Sequence, residues 1–288
     1  MSSRIVGVQF PDGHIDVARL SEAGDSVARI CELSSFWAAP REAMLMQSER
    51  DIPVAEVKLV PPVLPGARVI CIGLNYADHV AEGSFRDLEL PPFPTLFARW
   101  TSSLTVDGTE IPVPPDEEGL DWEGEVVAWV GSTLVDATAE EASAAVIGYS
   151  VFNDVTARRA QKLTSQWILG KNGDRSGPLG PLVPAAEVGD LREGLKIETR
   201  VNGTTVQSSR TDRMIYSVGE TLSHISRTFT LNPGDLLATG TPSGVGYART
   251  PPWLMVPGDV VEVQVERLGT VTNTIVGPQF RAGTHAAM

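Results

Sequence analysis

Glu123 and Glu125 stand two residues apart at the head of the β-prone run Val126-Val127-Ala128-Trp129-Val130, so a strand would put both carboxylates on one face. Like charges side by side on a strand are unfavourable unless water, a proton or a cation relieves them. Asp121 would join the pair, and a solvated strand edge explains it as readily as a cation does. Asp154 shifts that balance, because it ends the apolar run Val146-Ile147-Gly148-Tyr149-Ser150-Val151-Phe152-Asn153, where an unpaired charge is costly. Three oxygen donors without a nearby Cys or His suit a hard cation. Mg²⁺ fits best, with Mn²⁺ or Ca²⁺ as substitutes, because it keeps open positions for water or a chelating ligand.

A base can be read upstream, in Asn75-Tyr76-Ala77-Asp78-His79-Val80-Ala81-Glu82. If this segment is helical, His79 and Glu82 meet at i and i+3, and the carboxylate fixes the tautomer of the imidazole. The same spacing also makes ordinary surface pairs. The polar, proline-rich residues 83–94 that follow read as a lid. Lys171 comes after the apolar Trp167-Ile168-Leu169, which could set an ammonium at a pocket wall to stabilise an oxyanion; a solvated loop lysine is the alternative. Its surroundings lack the upstream glycine and following Ser/Thr of a phosphate loop. Gly240-Thr241-Pro242-Ser243-Gly244-Val245-Gly246 offers backbone N–H groups and the Thr241 hydroxyl as an anion nest, or is simply a tight turn. Ser243 does not sit in a serine-hydrolase elbow.

The elements that must hold these residues are mostly strands. Gly and Pro, 27 and 21 of the 288 residues, punctuate short β-branched runs, as in a β-rich α+β fold. Residues 4–10 and 14–20 read as a hairpin, 36–48 as a short helix, and 67–73 as a buried strand leading to Asn75. Thr138 with Glu141 and Ser217 with Glu220 are capping boxes, the second helix stopping near Asn232-Pro233-Gly234. Val261, Val263 and Val265 alternate with polar residues and pair with the run beginning at Val271. The proline-rich Val60-Pro61-Pro62-Val63-Leu64-Pro65-Gly66 separates a small N-terminal α/β domain, 1–62, from a catalytic domain, 67–288.

Composition narrows the function further. Hydrophobic and charged contents of 42% and 20% fit an ordered core and not a disordered chain. A formal charge of −13 without a basic stripe argues against nucleic acid. Cys31 and Cys71 have neither metal spacing nor a disulfide framework, which suits a reducing compartment. The N-terminal run meets Pro11-Asp12 before an apolar signal region develops, and no segment is long enough to span a bilayer, so the cytoplasm and no membrane are expected.

The ordered set 73–82, 122–130, 154–161, 170–174 with 178–181, 234–246 and 257–261 resembles the fumarylacetoacetate hydrolase superfamily, and within it bacterial acylpyruvases and 2-hydroxyhepta-2,4-diene-1,7-dioate isomerases. The resemblance covers the region after the proline-rich junction. It implies a mixed β-sandwich roll with a small N-terminal appendage, usually as a homodimer. It further implies a cation on Glu123, Glu125 and Asp154, a His79–Glu82 dyad on a lid, Lys171 as charge stabiliser, and Gln161, Thr241, Gly240 and Arg99 on the substrate side. The activity expected is hydrolysis of a C–C bond in an acylpyruvate-like 1,3-dioxo acid, in aromatic catabolism. Decarboxylation, isomerisation or hydration of a 2-oxo or 2-hydroxydienoic acid is the alternative, and a non-catalytic metal-binding module a further one. The chain departs from the pattern of the family it resembles at residues 171–175, at Arg159 in place of an acid, and at Arg99 in place of lysine. Arg86, Arg99, Arg175 and Arg249 are candidates for a second anion contact.

Overall fold

In a computed structural model, residues 4–48, 51–82 and 92–279 of the chain are described. The expected lid, residues 83–94, falls largely outside them, as does Arg86.

A six-stranded sheet, in the order Val183–Pro184, Val146–Asn153, Gly124–Val130, Leu236–Ala238, Val69–Gly73, Thr95–Arg99, forms the centre. Gly124–Val130 is antiparallel to both neighbours and buried along its whole length. Its two faces have different partners. Val126, Ala128 and Val130 pack with Val263, Val265 and Val271, which belong to a second, five-stranded sheet in the order Thr204–Arg210, Lys196–Val201, Val260–Val265, Gly269–Val276, Ile111–Pro112. The alternation read at 261, 263 and 265 is the inner face of this sheet. The opposite face begins with Glu123 and Glu125 and continues as Val127 and Trp129, the period of two putting all four side chains on one side.

Val127 and Trp129 share a core with Phe36 and Trp37 of the N-terminal part. The Trp37 ring stacks on Trp129 with centroids 5.5 Å apart, and its Nε1 donates to the Pro62 carbonyl at 2.7 Å. The N-terminal strands, Arg4–Gln9 and Ile15–Leu20 among them, form the expected hairpin within their own five-stranded sheet. A backbone bridge from Ile5 to Leu182 joins that sheet to the rest.

Both capping boxes are present, at Ala139–Ala144 and Val218–Ser226. The second helix ends earlier than expected, because Leu231 turns away to pair with Leu134. The helix expected over 36–48 is two short pieces, Leu33–Ala38 and Pro40–Ala43, broken at Ala39 with φ −149°. Pro40 has no N–H to continue the ladder and disfavours a helical residue before it. Among the described residues no helix is long and apolar enough to cross a membrane.

Candidate active site

The backbone ladder brings the three acids together. Asn153 is paired with Gly124, and one step further out the Asp154 N–H donates to the Glu123 carbonyl at 2.9 Å. Glu125 is reached from the other side, where the Gly240 N–H donates to its Oε2 at 2.9 Å. Gly240 has φ +89°, and a Cβ there would lie 2.9 Å from that of Asn75, so only glycine turns the chain at this point. The result is a buried triad in which ligand oxygens of Glu123, Glu125 and Asp154 all lie within 4.8 Å of one another.

Three cations surround the triad. Lys171 Nζ donates to Glu123 Oε2 at 2.6 Å and Asp154 Oδ2 at 2.7 Å. Arg99 pairs with the other Asp154 oxygen, and Arg158 Nη2 lies 2.7 Å from Glu123 Oε1. Arg158 Nε donates to Asp121 Oδ2 at 2.7 Å. Asp121, Glu123, Glu125 and Asp154 thus face Arg99, Arg158 and Lys171, all of them buried, leaving one negative charge uncompensated. It falls on Glu125, whose pKa is pushed well above the usual carboxylate value by burial and by its neighbours Asp154 and Glu123. Burial works to raise Glu123 as well, but Lys171 and Arg158 bring it down to about 2. Lys171 is held above its usual value, since Asp154 and Glu123 outweigh the burial that would lower it. Three converging carboxylates with a surplus of negative charge fit a hard divalent cation.

Over the triad opens a pocket of about 380 Å³, whose lining includes His79, Glu123, Glu125, Arg158, Gln161, Lys171 and Thr241. The expected helix is present at Ala77–Glu82, and His79 Nδ1 lies 2.8 Å from Glu82 Oε1. A carboxylate only accepts, so Nδ1 carries a proton, and in the neutral form of the ring the lone pair is on Nε2. The other Glu82 oxygen accepts from Gly244 N–H at 2.7 Å, docking the His79 helix on the glycine loop. Asn75 anchors its other end, its Nδ2 donating to the Tyr216 and Thr239 carbonyls at 3.1 and 2.8 Å. Gly73 leaves room for Trp167 at the pocket wall; a Cβ there would come 2.6 Å from that ring.

Several expected substrate contacts have other duties. Arg99 is enclosed behind Asp154, donating to Ser176 Oγ at 2.5 Å, and supports a triad member from outside the pocket. Gly240 serves Glu125. The Thr241 hydroxyl donates to Gly124 O and accepts from Gln207, both at 2.9 Å, so its proton is already engaged. Gln161, which lines the pocket, accepts at Oε1 from Arg158 Nη1 at 2.9 Å. Asp121 does not join the triad: it accepts from Gly246 and Tyr247 N–H at 2.6 and 3.1 Å, and so organises the glycine loop. Arg175 turns to Gln279, while Arg249 lies against Trp122 and Trp253. Arg158 is the residue that the sequence reading passed over. Its signal was position, four residues after Asp154 and within a stretch already singled out.

The fumarylacetoacetate hydrolase C-terminal family model matches residues 68–276. The oxaloacetate tautomerase YisK of Bacillus subtilis is 40% identical over 263 residues, 89% of this chain and 84% of that one. A 2-hydroxyhepta-2,4-diene-1,7-dioate isomerase structure from Mycobacterium marinum superposes with TM-score 0.75 at 30% identity, covering 96% of this chain and 98% of that one. The fumarylpyruvate hydrolase of Pseudomonas aeruginosa, solved with Mn²⁺ and pyruvate, gives TM-score 0.67 at 34% identity, over 76% of this chain and 91% of that one. With the family model matching residues 68–276 and relatives of this identity and coverage, the chain belongs to the fumarylacetoacetate hydrolase superfamily of enzymes.

Proposed function

We propose that the protein is a divalent-cation-dependent enzyme that interconverts the keto and enol forms of a short 2-oxo acid, with oxaloacetate as the first substrate to test. The observation that carries this reading is one pocket lined by both the Glu123–Glu125 end of a buried carboxylate triad and the His79 base. The tautomerase and isomerase names of relatives support it further than they support hydrolysis. Glu123, Glu125 and Asp154 would hold the cation, Mg²⁺ by preference, with Mn²⁺ or Ca²⁺ in its place; when bound, it supplies a Lewis acid that stabilises charge on the enolate oxygens.

The chain's own residues do the proton work. His79 Nε2 takes a proton from the carbon beside the 2-oxo group, and Glu82 offsets the charge that the imidazole gains. His79 then returns the proton to the oxygen, so no water is consumed. Two of the three Lys171 N–H donors are engaged with Glu123 and Asp154, which leaves one, together with Gln161 Nε2, for the substrate oxygens. A homodimer in a reducing, cytoplasmic setting belongs to the same proposal; the exposed Leu163, Ile168 and Leu169 are surface that a second copy would cover.

Hydrolysis of an acylpyruvate-like acid is the second reading. The free Nε2 suits the activation of water equally well, and the Pseudomonas neighbour is a fumarylpyruvate hydrolase. Mass analysis of products from oxaloacetate, an acylpyruvate and fumarylpyruvate separates the two. Tautomerisation leaves the substrate mass unchanged, whereas hydrolysis splits the chain and adds water. Split products from the acylpyruvate, with no faster enolisation of oxaloacetate, would replace the first reading by the second.

A further inference from the structure

Four side chains lining the pocket are cations or can become so: His79, Arg158, Lys162 and Lys171. Three are committed. His79 is held by Glu82, Arg158 by Asp121 and Glu123, and Lys171 by Glu123 and Asp154. Lys162 is different: its Nζ rests 4.0 Å from the centre of the Tyr247 ring, and no carboxylate among the described residues pairs with it. The Arg158 guanidinium carbon lies 4.8 Å from the same ring. Tyr247 is in turn fixed by its N–H to Asp121, the acid that also holds Arg158. A chain of contacts therefore runs from the triad through Arg158 and Tyr247 to an uncommitted ammonium that is exposed to solvent.

A 2-oxo acid that places its carboxylate and oxo group at the triad end has only its far end left to be recognised. Of the arginines that could have met a second anion there, the three among the described residues are elsewhere, Arg99 behind Asp154, Arg175 on Gln279 and Arg249 against two tryptophans. Resting on the enolisation reading, we propose that Lys162 is a specificity-determining residue whose ammonium pairs with the distal carboxylate of a 2-oxo dicarboxylate. The aromatic ring beneath it steadies the long side chain while leaving its N–H donors free. A site of this kind favours dianions over monoanions although the whole chain carries −13, because the attraction acts locally and within the screening length.

The test compares oxaloacetate with its 4-methyl ester, which lacks only the distal charge, in the Mg²⁺-loaded protein and its Lys162→Met and Lys162→Glu variants. The ratio of kcat/KM for the diacid over the ester should fall about tenfold in Lys162→Met, mostly through KM, and further in Lys162→Glu. An unchanged ratio in both variants overturns the assignment. If the unmodified protein enolises neither compound, the enolisation reading is what fails. Calorimetric titration of both compounds into the same three proteins then decides about Lys162: a tenfold loss in the ratio of Kd values supports its role, and an unchanged ratio overturns it.

Discussion

Glu123 and Glu125 lie on one strand face yet answer to opposite environments, and this gives the two acids opposite roles in stability. Lys171 and Arg158 depend on Glu123 for their compensation. Glu123→Gln leaves both partly unpaired in a buried setting and should cost about 3–5 kcal/mol. Glu125 carries the surplus charge, so with the metal removed Glu125→Gln should be neutral or stabilising. Its pKa is raised in the fold, so this gain is absent below the ordinary carboxylate pKa and grows as pH rises above it. Both variants should lose Mg²⁺ binding. Urea unfolding in a chelator, followed by Mg²⁺ titration, checks each part, and equal destabilisation by the two would refute the charge assignment. The Glu123–Glu125 and His79–Glu82 pairs are legible in the sequence because each depends on short spacing, two residues on a strand or three on a helix, and Asp154 because it ends an apolar run. Arg158, Lys162 and the true duty of Asp121 are not, since each depends on the loop of Gly246 and Tyr247, which returns 125 residues after Asp121, and no local pattern encodes that return.

At the scale of elements, the His79 helix depends on a distant cap. Tyr216 binds Asn75 through both its N–H and its carbonyl, and Ser217 immediately begins the capped helix Val218–Ser226. Ser217→Ala should cost about 1 kcal/mol, and it should loosen the turn that orients the His79 helix. Glu220 is held below its ordinary 4.5, first by the Ser217 side chain and then by its backbone. Its contribution is therefore complete above that pH and fades as pH falls through the lowered folded value. The gap between wild type and Ser217→Ala in urea unfolding should narrow correspondingly in acid; a gap that stays constant to pH 3 would place the effect elsewhere. Both boxes could be read from sequence because capping is local chemistry. The early end of this helix could not, because it follows from the pairing of Leu231 with Leu134.

Across the whole molecule, the N-terminal part is packed on the sheet face that carries the triad. Trp129 continues the Glu123–Glu125 side of its strand and meets Trp37. The proline-rich junction read as a boundary from composition, yet the apolar faces on either side of it complete one another, a relation that hydrophobic patterning alone leaves open. Trp37→Ala should cost about 3–5 kcal/mol of stability while Mg²⁺ affinity is retained, because backbone ladders hold both sides of the strand that carries Glu125. Urea unfolding and Mg²⁺ titration of this variant would show whether the shared core is as described; wild-type stability would show that it is not. The central claim is that the triad and the His79–Glu82 pair act together to enolise a 2-oxo acid. The most direct measurement is exchange of the oxaloacetate C3 hydrogens with deuterated water, followed by nuclear magnetic resonance with saturating Mg²⁺. The wild-type protein should accelerate exchange well beyond the rate with Mg²⁺ alone and leave the carbon chain intact, and His79→Asn should lose that acceleration while still binding Mg²⁺. Equal exchange with and without the wild-type protein, or full acceleration by His79→Asn, would contradict it.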